Sequence, residues 1–124
     1  MLLTEHRNEQ QLFVRKVDPD AVTVIDRRLD RSFVLSATQA IEDFPVRTVA
    51  ELDPAAIETI LALNPDVVIL GTGARATFPP QRVLAEFLKR GIGLETMDNS
   101  AAARTFNVLI SEGRAAVAVF LLGS

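Results

Sequence analysis

Asp66-Val67-Val68-Ile69-Leu70-Gly71-Thr72-Gly73 decides the fold. Four apolar residues, three of them β-branched, stand between an Asn64-Pro65 turn and a Gly-Thr-Gly loop. A strand apolar on both sides needs cover on both faces, which is the situation of an interior strand in an α/β sheet. A chain leaving such a strand through glycines can expose backbone N–H groups, so the loop is also the first place to look for a ligand.

The elements around this strand support the same class. Upstream, Asp53 followed by Pro54 is a helix start: the carboxylate accepts from a free N–H, and proline at the first helical position gives up an N–H that had no partner. Ile57, Ile60 and Leu61 form one apolar stripe, and Pro65 disfavours helical geometry in Asn64. Downstream, Phe78-Pro79-Pro80 opens a second helix with Val83, Leu84, Phe87 and Leu88 on one face, ending at Gly91. Ile92 to Met97 is the next strand. Asp98 or Ser100 caps a third helix, carrying Ala102, Phe106, Leu109 and Ile110 on one side and stopping at Gly113. Arg114 to Leu122 is almost wholly apolar and makes the last strand.

The first half reads as antiparallel β structure. Asp18-Pro19-Asp20 is a turn signal, and Ala21–Ile25 and Ser32–Leu35 read as the arms of a hairpin with Arg27, Arg28 and Arg31 at its tip. That arginine cluster is either a solvated tip balanced by Asp26 and Asp30 or an anion or partner contact. Ile41, Phe44 and Val46 suggest a further short strand bent by Pro45. The expectation is therefore one α/β domain over residues 1–124, three-layered, with a single mixed sheet: an N-terminal β-hairpin followed by alternating α-β units. Residues 1–11 are polar and expected to fray.

Composition removes several function classes. The 124 residues carry a net charge of −3, with 7 basic and 8 acidic side chains in residues 1–50 and 6 and 8 in the rest. Neither half has the basic footprint of a nucleic-acid or anionic-membrane binder. No apolar run approaches the ~20 residues that cross a bilayer, and no basic-then-apolar leader opens the chain. Without cysteine there is no disulfide or thiolate chemistry, which suits a cytoplasmic location. The single histidine, His6, does not permit a catalytic triad or a histidine-rich zinc site within one chain. No catalytic residue, metal ligand or cofactor is assigned.

Gly71-Thr72-Gly73-Ala74-Arg75-Ala76 matches the dinucleotide pattern G-x-G-x-x-G/A, and Glu95 lies at the end of the next strand. In a dinucleotide fold the helix begins at the glycines and aims its positive end at the pyrophosphate. Here Pro79 and Pro80 delay the helix by several residues, so the loop is read first as a tight turn. The alternative is a small-molecule or anion site, in an enzyme or a binding protein, at the carboxyl ends of strands 66–71 and 92–97. Gly71, Thr72, Gly73, Arg75, Asp98 and Asn107 are its candidate ligand residues. Asn107, like Thr105, is unfavourable in a helix interior and is expected either to bond nearby backbone or a loop or to serve that site. Asp98 or Glu112 as a general base is the weakest alternative, and Glu112-Gly113-Arg114 reads as a helix stop with a surface ion pair.

Taken together, Leu70-Gly71-Thr72-Gly73, Gly91-Ile92, Met97-Asp98, Ala102-x-x-Thr105-Phe106-Asn107-x-Leu109 and Glu112-Gly113-Arg114 before an Ala/Val-rich strand resemble one small family. Its bacterial and archaeal members carry a domain of unknown function, and its mitochondrial member is an assembly factor for respiratory complex I (NADH:ubiquinone oxidoreductase). The chain departs from the family pattern at Asn99, usually Thr, and Phe106, usually Tyr. The resemblance implies a three-layer α/β fold, no established catalysis, and at most a role alongside a respiratory-complex subunit or another protein partner. Self-association is compatible with it. A binding or assembly protein of this kind should show an apolar or mixed patch beside the third helix or along an edge strand.

Overall fold

The structure, a computed structural model, describes residues 11–123. His6 and all but the last residue of the stretch expected to fray lie outside the described residues.

Val67–Gly71, the strand that opened the sequence reading, is buried along its whole length (β6 in chain order). The strands before it are β1 (Val14–Asp18), β2 (Ala21–Val24), β3 (Arg27–Leu29), β4 (Phe33–Leu35) and β5 (Ala40–Ile41), and a 3-10 turn at Val49–Glu51 leads into α1 (Pro54–Leu61). After β6 come α2 (Gln81–Leu88), β7 (Gly93–Met97), α3 (Asn99–Ser111) and β8 (Ala116–Phe120).

The class is α/β with antiparallel N-terminal strands, but the strands divide into two sheets instead of one. β1, β2 and β3 form an antiparallel sheet of their own, and the mixed five-stranded sheet has the order β5-β4-β8-β6-β7. The hairpin is shorter than expected. Val24 pairs with Arg27 across a two-residue turn, Ile25-Asp26. Ile25 takes φ +55° there, a conformation usually given to glycine, which is why the sequence hid the turn. Arg27 and Arg28 therefore lie in a strand, and Ser32–Leu35 carries the chain into the other sheet, where Phe33 pairs with Phe120 and Leu35 with Ala118.

The five-stranded sheet separates two cores, and the alternation of β6 is visible in them. Val67 and Ile69 face the side covered by α3 and the three-stranded sheet, with Phe33, Phe106 and Phe120. Val68 and Leu70 face the side covered by α1 and α2, with Ile57, Ile60, Val83 and Phe87. Phe33 and Phe120 stack with ring centroids 5.1 Å apart. Three layers result. β8 lies between β4, antiparallel, and β6, parallel. Leu84 and Leu88 were placed with Val83 and Phe87 on the apolar face of α2; only Val83 and Phe87 are buried, and Leu88 is 78% exposed.

Both helix starts read from carboxylates hold. Asp53 accepts from Ala56 N–H at 2.8 Å, and Asp98 accepts from Ala101 N–H at 2.8 Å. α2 begins at Gln81 after Pro80, as late as the prolines required.

Candidate functional site

β6 and β7 run parallel, so their carboxyl ends open on one edge of the sheet, where the glycine loop meets the first turn of α3. Gly71 is the last residue of β6. A Cβ there would lie 2.5 Å from Asn99 Oδ1, 3.1 Å from Ala102 Cβ and 3.2 Å from the Val119 carbonyl oxygen. Its backbone angles are ordinary, so glycine is needed for space alone: α3 starts in contact with the sheet. Gly73, two residues on, is glycine for the other reason, with φ +97°.

The loop spends its polar groups on its own chain. Thr72 N–H donates to the Met97 carbonyl at 3.0 Å, and Asn99 N–H donates to the Gly73 carbonyl at 2.8 Å. The Thr72 hydroxyl donates to the Arg75 carbonyl and accepts from Thr77 N–H at 2.9 Å. Gly73 N–H, the group most suited to an anion, donates to Asn99 Oδ1 at 3.1 Å. Asn99 completes the knot by donating from Nδ2 to the Leu121 carbonyl at 3.1 Å, while Leu121 N–H reaches the Gly71 carbonyl at 2.9 Å. Asn99 is 4% exposed, and both its side-chain oxygen and its side-chain nitrogen bond to backbone. It ties the loop after β6, the start of α3 and the chain after β8 into one unit.

The six sequence-derived candidates are not gathered at one point. Gly73 and Asp98 line a cleft of about 290 Å³ with Asp18, Pro19 and Ser100, next to the β1–β2 turn. That volume is at the bottom of the range of ~300–1,000 Å³ typical of ligand pockets. Its two carboxylates, Asp18 and Asp98, disfavour an anion; Asp98 is occupied as a helix cap and Asp18 stands 3.8 Å from Lys16. Gly71, Thr72 and Arg75 are not among its lining residues, and Arg75 is exposed on the loop.

Asn107 is elsewhere, bonded to backbone as the first of its two expected roles required. Its Oδ1 accepts from Val14 N–H at 2.9 Å and its Nδ2 donates to the Val14 carbonyl at 2.8 Å. The side-chain amide thus imitates a neighbouring strand on the outer edge of β1. Thr105 places its hydroxyl 3.4 Å from Met97 Sδ. Glu112 ends α3 beside Gly113 at φ +80°, but the ion pair at that corner joins Arg114 to Asp66 at 3.6 Å and leaves Glu112 out.

The arginine cluster is balanced, though by other carboxylates than expected. Arg27 makes a two-pronged contact with Glu42, both bonds at 2.6 Å; Arg28 reaches Asp20 at 3.2 Å and Arg31 reaches Asp43 at 3.0 Å. The hydrogen bond from Arg27 holds the Glu42 carboxyl below its ordinary range, with the cation's charge acting the same way. On α2, Lys89 and then Arg90 do the same to Glu86. No group of three or more His, Cys, Asp or Glu side chains is arranged to hold a metal ion among the described residues, and no helix among them is long and apolar enough to cross a membrane.

Asn99 is not among the six candidate ligand residues, although its side chain is the one that closes the loop. Its only signal was its departure from the family's usual threonine. Ser32, buried at 2%, accepts from Leu122 N–H at 2.8 Å and donates to the Leu122 carbonyl at 3.3 Å.

The architecture is that of a small three-layer α/β protein whose loop after β6 is closed on its own side chains. The chain belongs to the family described as a protein of unknown function (DUF498/DUF598), whose model matches residues 14–121. Over 84 residues it is 37% identical to NADH dehydrogenase [ubiquinone] 1 alpha subcomplex assembly factor 3 of Danio rerio, covering 66% of this chain and 48% of that protein. Over 115 residues it is 25% identical to the 13 kDa major membrane protein of Francisella tularensis, covering 92% of this chain and 94% of the other. Among solved structures it resembles that of Xanthomonas campestris XCC1710, with 43% identity, a TM-score of 0.86, and 99% and 93% of the two chains covered.

Proposed function

We propose that this chain is a non-enzymatic binding protein of the assembly-factor type, acting on a protein partner that is a subunit of a respiratory complex. The observation that carries the reading is the Asn99 knot. A phosphate or nucleotide at the loop would have to displace Asn99 Oδ1 from Gly73 N–H and leave a buried amide unpaired, a cost of about 1–3 kcal/mol before any contact is gained. The relative named as an assembly factor supports the protein-partner half, although the chain spans about half of that protein.

Deletion in the host is expected to lower the amount of fully assembled NADH:ubiquinone oxidoreductase on native gels, and tagged protein is expected to recover a reproducible subunit of it. Unchanged assembly together with no recovered subunit refutes the reading. The ligand alternative predicts that a saturating phosphate, nucleotide or carboxylate raises stability by about 2.7 kcal/mol at 100 times its dissociation constant. We expect no thermal shift across such a panel.

A further inference from the structure

We infer that the groove between β1 and α3 is a docking site for an extended, acidic segment of a partner protein, which adds to the open edge of β1. This rests on the protein-partner reading above and names the surface and the chemistry.

Among the described residues β1 is an edge strand of its sheet, with β2 on one side only. Asp18 pairs with Ala21 across the Pro19-Asp20 turn, so the ladder's alternation points the N–H and C=O of Val17 away from β2. The register slips between Val14 and Lys16, and this irregularity returns Val14 to the same outer side. Asn107 proves the direction at Val14, where its amide makes the two bonds that a neighbouring backbone would make. At Val17 the place of that surrogate is open: among the described residues, no backbone outside the β1–β2 ladder bonds to either polar group.

The floor and rim of the groove suit an anionic occupant. Arg15 and Lys16 on β1 and Arg104 and Ser100 on α3 line a space of about 340 Å³ together with Val17 and Asn107; no carboxylate lines it, and the nearest, Asp18 and Asp98, belong to the adjoining cleft that shares Val17 and Ser100, where Asp98 is used as a helix cap and Asp18 faces Lys16. Arg15 and Arg104 form no ion pair among the described residues, and Lys16 has only a 3.8 Å approach to Asp18. Three cations on one short groove stand out in a chain of net charge −3. By contrast, Arg27, Arg28 and Arg31 around β3 each meet a carboxylate. A strand lying here would pair its backbone with Val17 and place alternate side chains toward Arg15 and Arg104, the strand-addition mode of peptide recognition.

The test uses the whole chain and a fluorescein-labelled (Glu-Val)4 peptide, followed by fluorescence anisotropy. The peptide is expected to bind, to weaken as salt is raised, and to bind at least about tenfold more weakly to the double variant R15E/R104E, because rim charges steer and discriminate partners. The variant R114E, with an exposed arginine reversed away from the groove, should bind as the native chain does. Hydrogen exchange of the native protein adds a readout that charge alone would not move: the Val17 amide should become protected when the peptide is added. Equal affinity for R15E/R104E, or an unchanged Val17 exchange rate, overturns the proposal. So does equally tight binding of an oligothymidylate of the same charge, which would make the groove a general polyanion site. If R15E/R104E loses nothing toward a respiratory subunit that the native chain recovers, the groove is wrong and the assembly reading stands.

Discussion

Replacing Gly71 with alanine adds one methyl group to a chain of 124 residues and should be among its costliest small changes. The new Cβ would stand 2.5 Å from Asn99 Oδ1, far inside van der Waals contact, and 3.1 and 3.2 Å from Ala102 Cβ and the Val119 carbonyl oxygen. Asn99 cannot step aside freely, since its amide holds Gly73 N–H and the Leu121 carbonyl, each at 3.1 Å. Either α3 lifts from the sheet, at the ~1–3 kcal/mol of an overpacked core, or Asn99 rotates and abandons two buried groups at a similar cost. We expect G71A to lose about 2–4 kcal/mol in urea unfolding, a lowering of Tm by roughly 10–20 °C for a domain of this size, with an unchanged denaturant slope. The variant N99A isolates the cause. It removes the nearest clash as well as the bonds, so the double variant G71A/N99A should cost at least about 1 kcal/mol less than the two single losses added. A G71A loss under about 0.5 kcal/mol, or strict additivity, would show that α3 does not press on the end of β6 as described.

Three further outcomes follow from other contacts. S32A should destabilise by about 1–3 kcal/mol in the same assay, because the two backbone groups of Leu122 lose their partner in a site that is 2% exposed. N107A should leave the global unfolding midpoint much less affected than S32A does, yet speed hydrogen exchange at the Val14 amide, whose acceptor it removes. On acidification, the Arg27–Glu42 and Lys89–Glu86 contacts should be lost together. Both glutamates titrate below their ordinary range when folded, so their stabilisation is present above the unfolded value, near pH 4.5, and disappears as pH falls through the lower folded values. E42Q should therefore flatten the stability profile below pH 5 and leave its shape near neutrality unchanged; an unaltered acid limb would refute the linkage.

Much of the second half was legible because its physics is local. β6 has no polar side chain to spare for a solvent face; Asp53 and Asp98 announce helices; Pro79 and Pro80 forbid an early start to α2; Gly91 and Gly113 adopt the left-handed angles at which helices stop. The first half was less legible because its decisive events are exceptions to local preference. Ile25 makes a turn that its branched side chain disfavours, and only the long-range pairing of Phe33 with Phe120 takes β4 out of the hairpin and into the other sheet. At the candidate site, Gly71 and Gly73 were visible as needed glycines, and Asp98 as a cap. What they are needed for was not, since the partner is Asn99, 26 residues on from Gly73. Asn107 was correctly doubted in a helix interior, but the strand it completes is 93 residues away.

The position of β8 between β4 and β6 has a bearing on how the protein is made. A ribosome delivers β4 and β6 well before residues 116–120, and until then each has one side of its backbone open to water or to a neighbouring chain. The keystone strand arrives after everything it joins. Nascent chains stalled before Ala116 should therefore be sticky and protease-sensitive however much helix they already hold, and productive folding should begin abruptly once the stretch Ala116–Phe120 clears the exit tunnel.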